Sequence, residues 1–331
     1  MLDTTGPPER PTRVIEDFRG DFSAVASLIQ RSWSDNKKQP LFYTADFLRS
    51  AFEYPGSTVS LAPTFYEGSI PLAFSSGFPR RLRFKDQPLR VIVSSFLSVS
   101  PEHKKAGYGI LLWNELVKRV QCAGFDGMVN FCVDGEPMNG MILRCCHSLR
   151  LPTARIFSVH YLSRAISQLK PTEPLDSLSV ETVEEFLDLT RVIAECTPLA
   201  RLWSQDEAEW QCFRRLGAVT ARYSSGSRLG ILTGYIMEIF SPERPKCLLI
   251  EDVLWGTLDL QERQMLLGQL LRKAAAAGAR MATVPLLNYA DMEPFFTARF
   301  QRTRRILHGY LSIWTGAQPV EGINSMYLDV F

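Results

Sequence analysis

The stretch Val91–Gly109, VIVSSFLSVSPEHKKAGYG, decides the fold. An apolar run of strand type passes through Pro101-Glu102 into a basic turn holding two glycines, and that turn opens directly onto an amphipathic helix. Leu112, Leu116, Val120 and Ala123 recur at helical spacing, Trp113 and Val117 widen the stripe, and Gly124 stops it. The first turn of such a helix leaves several backbone N–H groups without intrahelical partners. Gly107 and Gly109 carry no Cβ and let a ligand approach that backbone closely. An anion is the natural occupant, and Lys104 and Lys105 add positive charge at the mouth.

Competing phosphate motifs are missing. The chain holds no Gly-x-x-x-x-Gly-Lys-Ser/Thr, and the pair Gly107 and Gly109 lacks the third glycine of a dinucleotide fingerprint. A Gly-x-Ser-x-Gly elbow and a His-Glu-x-x-His are also absent, so serine-hydrolase and zinc-protease chemistry have no anchor.

Lys104-Lys105-Ala106-Gly107-Tyr108-Gly109 resembles the Arg/Gln-x-x-Gly-x-Gly signature of the GNAT acyltransferase family, with lysine in the first place as a departure. Phe96-Leu97-Ser98-Val99-Ser100-Pro101-Glu102 is similar to the strand and Pro-Glu that precede it there. The resemblance implies that the amides of Lys104, Lys105, Ala106, Gly107, Tyr108, Gly109 and Ile110 hold the pyrophosphate of acetyl-CoA as co-substrate. It also implies that Leu97, Ser98 and Val99 offer backbone to the pantetheine arm and acyl carbonyl, the polarising amide lying around Val99.

The order of elements agrees with that family. A short strand over Thr12–Phe18 and a helix capped by Asp21 lead to a second helix near Ala45–Phe52. Strands at Ser57–Ala62 and Ile70–Phe78 then flank the turn at Glu67-Gly68. Arg81, Arg83 and Lys85 alternate with apolar residues as the wet face of a strand. Gly127–Val133 is a buried-type strand, Pro137–Cys146 a helix, and Thr153–Leu162 a closing pair of strands. The expected fold class is α/β (α+β): two tandem GNAT-like acyl-CoA N-acyltransferase domains. Each is expected to be a mixed, mostly antiparallel sheet whose central parallel strands splay apart, flanked by helices.

The second domain follows from an internal repeat. A shift of 154 positions pairs Leu112 with Leu266, Leu116 with Leu270, Lys118 with Arg272, Arg119 with Lys273, Ala123 with Ala277 and Gly124 with Gly278. Leu248–Leu254 and Ala282–Leu286 stand in the places of the two central strands, and Leu307–Trp314 closes the unit. The shift sets Lys104, Gly107 and Gly109 against Leu258, Gln261 and Arg263, so the second copy lacks the phosphate loop. Residues 1–11 are read as a flexible leader without the apolar core of a signal peptide, 12–167 as the transferase domain, 168–179 as a Pro- and Ser-bearing linker, and 180–331 as the degenerate copy.

Catalytic candidates rest on the same resemblance. Glutamates are frequent on the first central strand of the family, but this chain carries Ser94 and Ser95 there, and Ser95 is the candidate on that strand. Asp134 and Glu136 follow the second central strand, where a helix N-cap is the plainer reading. The family's frequent asparagine falls on Asn139, and the tyrosine expected seven residues later, which protonates the CoA thiolate, falls on Cys146.

Composition adds limits. The chain has 331 residues, is 46% hydrophobic and 22% charged, and carries a formal net charge of +2, so nothing global points to nucleic acid. No apolar run approaches the roughly 20 residues that span a bilayer. Seven cysteines without a Cys-x-x-Cys pair fit reduced thiols in the cytoplasm, and four scattered histidines give no metal spacing. The resemblance to the GNAT family implies acetyl-CoA-dependent N-acetyltransfer to the primary amine of an acceptor, a small molecule ahead of a protein. Transfer of a longer acyl chain and non-catalytic acyl-CoA binding or scaffolding are the alternatives. The second domain then shapes the acceptor cleft or a homodimer.

Overall fold

The computed structural model describes residues 13–34, 41–135, 137–169, 180–286, 288–316, 319–323 and 325–328. The expected leader, most of the linker and Glu136 lie outside these residues. The first half contains β1 (Arg13–Asp17), α1 (Phe22–Trp33), β2 (Leu41–Phe42), α2 (Ala45–Phe52), β3 (Pro63–Glu67), β4 (Ile70–Phe84), β5 (Gln87–Val99), α3 (Tyr108–Cys122), β6 (Gly127–Val133), α4 (Pro137–Ser148) and β7 (Thr153–Ala165). The second contains α5 (Val180–Cys196), β8 (Leu199–Leu202), α6 (Gln205–Glu209), β9 (Ala218–Ser225), β10 (Arg228–Ile239), β11 (Lys246–Leu254), α7 (Leu260–Ala276), β12 (Ala279–Pro285), α8 (Glu293–Thr297), β13 (Gln301–Ile313) and β14 (Met326–Tyr327).

Local chemistry explains the helices that matter. Asp21 and Thr44 accept from backbone N–H groups and start α1 and α2. Leu112, Leu116 and Val120 of α3 are completely buried, as are Leu266, Leu270 and Ala274 of α7. Each buried leucine contributes about 1.5–3 kcal/mol relative to exposure. The repeat also holds at the C-termini: Ala123 and Ala277 are the C-caps of α3 and α7, and Gly124 and Gly278 follow at φ 71° and 89°.

All strands join one sheet, in the order β1-β3-β4-β5-β6-β13-β7-β12-β11-β10-β2, with β8 beside β4, β9 beside β10 and β14 beside β8. The two halves exchange strands in matched pairs. β13 of the second half inserts between β6 and β7, and β7 of the first half runs on to pair with β12. In the same way β2 extends the edge of β10, and β8 extends the edge of β4.

This arrangement corrects three expectations. Thr153–Ala165 is one long strand rather than a closing pair, because each end finds a different partner. Gln301–Ile313 completes the sheet of the first half as well as its own. Val59–Leu61 is a 3-10 turn, and the strand expected from Ser57 begins at Pro63.

The central strands splay in both halves. β5 and β6 pair in parallel from Val91/Gly127 only as far as Ser94/Asn130, and β11 and β12 only from Lys246/Ala279 to Leu249/Thr283. Beyond these points the strands part, which leaves a gap outside their carboxyl ends where open α/β sheets take ligands.

Candidate functional site

Gly107 is the N-cap of α3, in the left-handed region at φ 79°, and no side chain caps the helix. A Cβ on Gly107 would meet nothing within 4 Å, and one on Gly109 would make only an ordinary 3.5 Å contact with Val99. Packing therefore requires neither glycine. The backbone angle requires the first, and the open space in front of both suits a ligand pressed against the amides of the first turn. Lys104, Lys105 and Ala106 are exposed around this opening, as is Ile110. Tyr108 is buried, its ring stacked between Phe65 at 4.2 Å and His103 at 5.6 Å, which fixes the start of the helix. His103 meets Ser100 Oγ at 2.8 Å.

The equivalent end of α7 is closed. Asp259 caps it in a reciprocal box with Glu262, and Arg228 bonds Glu262 at 2.7 Å and Asp259 at 2.5 Å. α7 also starts earlier in the repeat, so Leu260 and Gln261 are helical where Ala106 and Gly107 form the open turn.

The strand leading to the open turn is bulged. Ser95 pairs with Ser76 and Ser98 with Phe74, so Phe96 and Leu97 together oppose Ser75. Phe96 adopts φ 61°, an unusual angle for a bulky residue, and its buried ring is held edge-on by Tyr43 at 5.2 Å and Phe78 at 5.9 Å. A bulge of this kind frees backbone groups from the ladder. The Val99 amide, in the stretch expected to polarise the acyl carbonyl, donates to Ser32 Oγ at 3.3 Å. Leu97 and Val99 pack against the cluster of Phe65, Leu72, Ala73, Tyr108 and Leu112, while Ser98 is buried and its hydroxyl has no hydrogen-bond partner among the described residues.

The remaining candidates separate. Ser95 is half-buried one residue past the last β5/β6 pair, and its carbonyl accepts from Ser76. Asp134 follows β6 with an exposed side chain; its Oδ1 lies 3.4 Å from His308 Nε2, and the other ring nitrogen of His308 meets Ser158 Oγ at 2.7 Å. Cys146 lies under α4 in the same buried cluster as Tyr310. It is buried among Trp113, Met128 and Ile142 with its thiol against Ser312, because its face of α4 packs on the sheet.

Asn139 accepts from the hydroxyl of Tyr310, a residue of β13. Burial raises the Tyr310 phenol above its ordinary pKa, with Cys132 adding to this, so the group stays protonated. Sequence reading missed Tyr310 and His308 because β13 reaches this site from the other half of the chain.

The gap has a second bank. β6 ends at Val133 opposite Leu307, and residues 301–306 of β13 run past it with β7 at their other side. Thr303 and Arg305 lie on this stretch, between the pairs Arg302/Leu162 and Ile306/His160. The same two residues line a cavity of about 200 Å3 that extends to β11 and β10, with Tyr161, Tyr235, Leu249 and Glu251 in its wall. Glu251 is buried, and its Oε2 accepts from Arg215 at 2.6 Å and Gln211 at 2.7 Å. Burial pushes the Cys247 thiol in the wall up to about 12, outweighing Arg305, which lowers it. Among the described residues no group of three or more His, Cys, Asp or Glu is placed to hold a metal ion, and no helix is long and apolar enough to cross a membrane.

Two solved structures of Saccharomyces cerevisiae N-myristoyltransferase with bound myristoyl-CoA are similar to this chain. They align at TM-scores of 0.73 and 0.75, with 12% and 13% identity, over 97% of this chain and 83% and 87% of theirs. A GCN5-related N-acetyltransferase from Kribbella flavida aligns at a TM-score of 0.50 with 14% identity, over 91% of this chain and 71% of that one. No family model matches the sequence, and no curated protein sequence matches it. The agreement is one of architecture, and it spans both halves. The chain therefore has the GNAT fold in its tandem form, two mixed, largely antiparallel units merged through β7 and β13.

Proposed function

We propose that this protein is an acyl-CoA-dependent N-acyltransferase with one active site, in the first half. The open N-terminus of α3 at Gly107, beside splayed strands of which one is bulged, carries this reading. The amides of the first turn, with Lys104 and Lys105, hold the pyrophosphate, and Leu97, Ser98 and Val99 line the pantetheine arm. The bulge at Phe96 and Leu97 polarises the thioester carbonyl, where preorganised amides act on the charge that develops during attack.

The amine nitrogen then bonds the carbonyl carbon, the C–S bond breaks, and the electron pair leaves on sulfur. Asp134, with His308 behind it, is the proposed proton acceptor for the amine. Tyr310, held by Asn139 and kept protonated by burial, replaces Cys146 as the proposed donor to the thiolate. The units 12–167 and 180–331, and a cytoplasmic location, belong to the same proposal.

Acetyl is the proposed group. A longer chain is the second reading, favoured by the largely apolar wall of the cavity and by the myristoyl-CoA held in the similar yeast enzyme. Thermal shift and free-thiol release with acetyl-, octanoyl- and myristoyl-CoA test both. Stabilisation by acetyl-CoA at micromolar concentration supports the first reading, and stabilisation that grows with chain length replaces it by the second. If none of the three shifts the melting temperature, the acyl-CoA reading is wrong.

A further inference from the structure

We infer that the second half holds a ligand site of its own, in which the cavity between β7, β10, β11, β12 and β13 takes a neutral bicyclic aromatic molecule. This accompanies the acetyl reading, in which the acyl group stays on the first half. No residue of the α3 turn or of the β5 bulge lines the cavity.

Its place follows from the repeat. β11 and β12 stay paired only as far as Leu249/Thr283, and Ile250 and Glu251, the next residues of β11, line the cavity. The residues 154 positions before them are Phe96 and Leu97. The second half thus keeps a gap beside its central strands, although Asp259, Glu262 and Arg228 close its helix N-terminus. A ligand there has no phosphate loop to anchor it and binds through what the wall offers.

Volume sets the size of the ligand. Packed interiors keep few voids larger than a water molecule, so a hollow of about 200 Å3 marks a place for one. An apolar cavity of about 150 Å3 takes a single benzene ring, and the larger one here suits a bicyclic ring such as indole. Ile239, Leu249 and Met281 in the wall are half-buried, which gives the ligand a way in.

The polar groups of the wall are already engaged. Ser163 donates to Thr283 Oγ1 at 2.9 Å, Thr283 donates to the Leu162 carbonyl at 3.0 Å, and Thr303 Oγ1 accepts from the Arg305 backbone N–H at 3.2 Å. Glu251 accepts from Arg215 and Gln211, while the Arg305 guanidinium lies over the Tyr161 ring and is itself partnered. A charged ligand would lose its hydration here without gaining a counter-ion, which favours a neutral one. Tyr161 and Tyr235 bring rings to the wall, and Met281 and Cys247 bring sulfur; both favour an aromatic ligand over an alkyl chain.

Calorimetric titration of indole, indole-3-acetate and tryptamine into the full-length protein tests this. Indole should bind at one site with a submillimolar Kd, and both charged analogues should bind about tenfold more weakly or worse. Met281→Trp fills the cavity and should abolish indole binding while raising the melting temperature. Ile239→Trp gives an independent reading if that variant fails to fold. Absence of indole binding, equal or tighter binding of either charged analogue, or undiminished binding in both Trp variants overturns the inference. Displacement of indole by myristoyl-CoA also overturns it, because the cavity then belongs to the acyl chain. Failure of acetyl-CoA to bind, with indole binding kept, sinks the transferase reading alone.

Discussion

Gly107 and Asp259 are the N-caps of equivalent helices, two positions apart in the repeat, and leave them in opposite states. Gly107 turns the chain at positive φ with no side-chain cap, whereas Asp259 closes its helix with Glu262 and Arg228. The C-terminal ends of α3 and α7 keep the 154-residue register, so the difference is confined to the first turn. One turn presents amides and nearby lysines, and the other presents carboxylates already satisfied.

Lys104 and Lys105 are exposed, so their attraction for a pyrophosphate is screened by salt, with a Debye length of about 10 Å at 0.1 M. The double substitution Lys104→Ala/Lys105→Ala should weaken acetyl-CoA binding roughly tenfold at low salt, a change equivalent to about 1.4 kcal/mol. It should also flatten the dependence of Kd on ionic strength. Calorimetric titration at 20 and 300 mM salt reads both. An unchanged salt slope would show that the lysines stand outside the ligand's field.

Asp134 and His308 are 174 residues apart in sequence and meet at the end of β6. If they take the amine proton, Asp134→Asn should lower kcat at least tenfold, about 1.4 kcal/mol of barrier, with the Kd for acetyl-CoA unchanged. His308→Gln should lower kcat in the same direction. Values of kcat within twofold of wild type in both variants would remove the pair from the mechanism.

Glu207 ties the halves together. Its carboxylate accepts from the Tyr54 hydroxyl, from Ser204 and from the fully buried Arg201. Burial pushes this carboxyl up, but Arg201, Tyr54 and Ser204 outweigh it and hold it below the usual range. A carboxyl depressed in the folded state stabilises above its unfolded pKa, about 4.3 for Glu, and loses that stabilisation as pH falls towards the folded value. Melting temperatures should therefore drop from pH 5 to pH 3, and Glu207→Gln, losing about 2 kcal/mol of charged hydrogen bonding at pH 7, should show a shallower drop. Parallel pH curves for the two proteins would count against this role.

The loop, the amphipathic helices and the degenerate repeat were legible because each is local: glycine positions, leucine spacing and C-caps lie within about twenty residues of one another. Strand exchange was not, since the alternation in Thr153–Ala165 or Gln301–Ile313 is the same whichever strand lies beside it. Cys146 was placed at the thiolate by counting along α4, and the structure turns that face into the core. Tyr310 meets Asn139, and Arg305 enters the cavity wall, only because β13 crosses between the halves. The bulge at Phe96 left no mark in composition; its cause is the cluster of Tyr43, Phe47 and Phe78 around that ring.

The central claim is that only the N-terminus of α3 binds the cofactor pyrophosphate. Calorimetric titration of acetyl-CoA into the wild-type protein, Gly107→Val and Gln261→Val tests it most directly. Gly107→Val places a branched side chain at positive φ on the open turn, at a strain of about 1–3 kcal/mol that should leave the fold intact by circular dichroism. The account predicts one site in the wild type, its loss in Gly107→Val, and an unchanged Kd in Gln261→Val. Two sites in the wild type, or equal losses in the two variants, would contradict it.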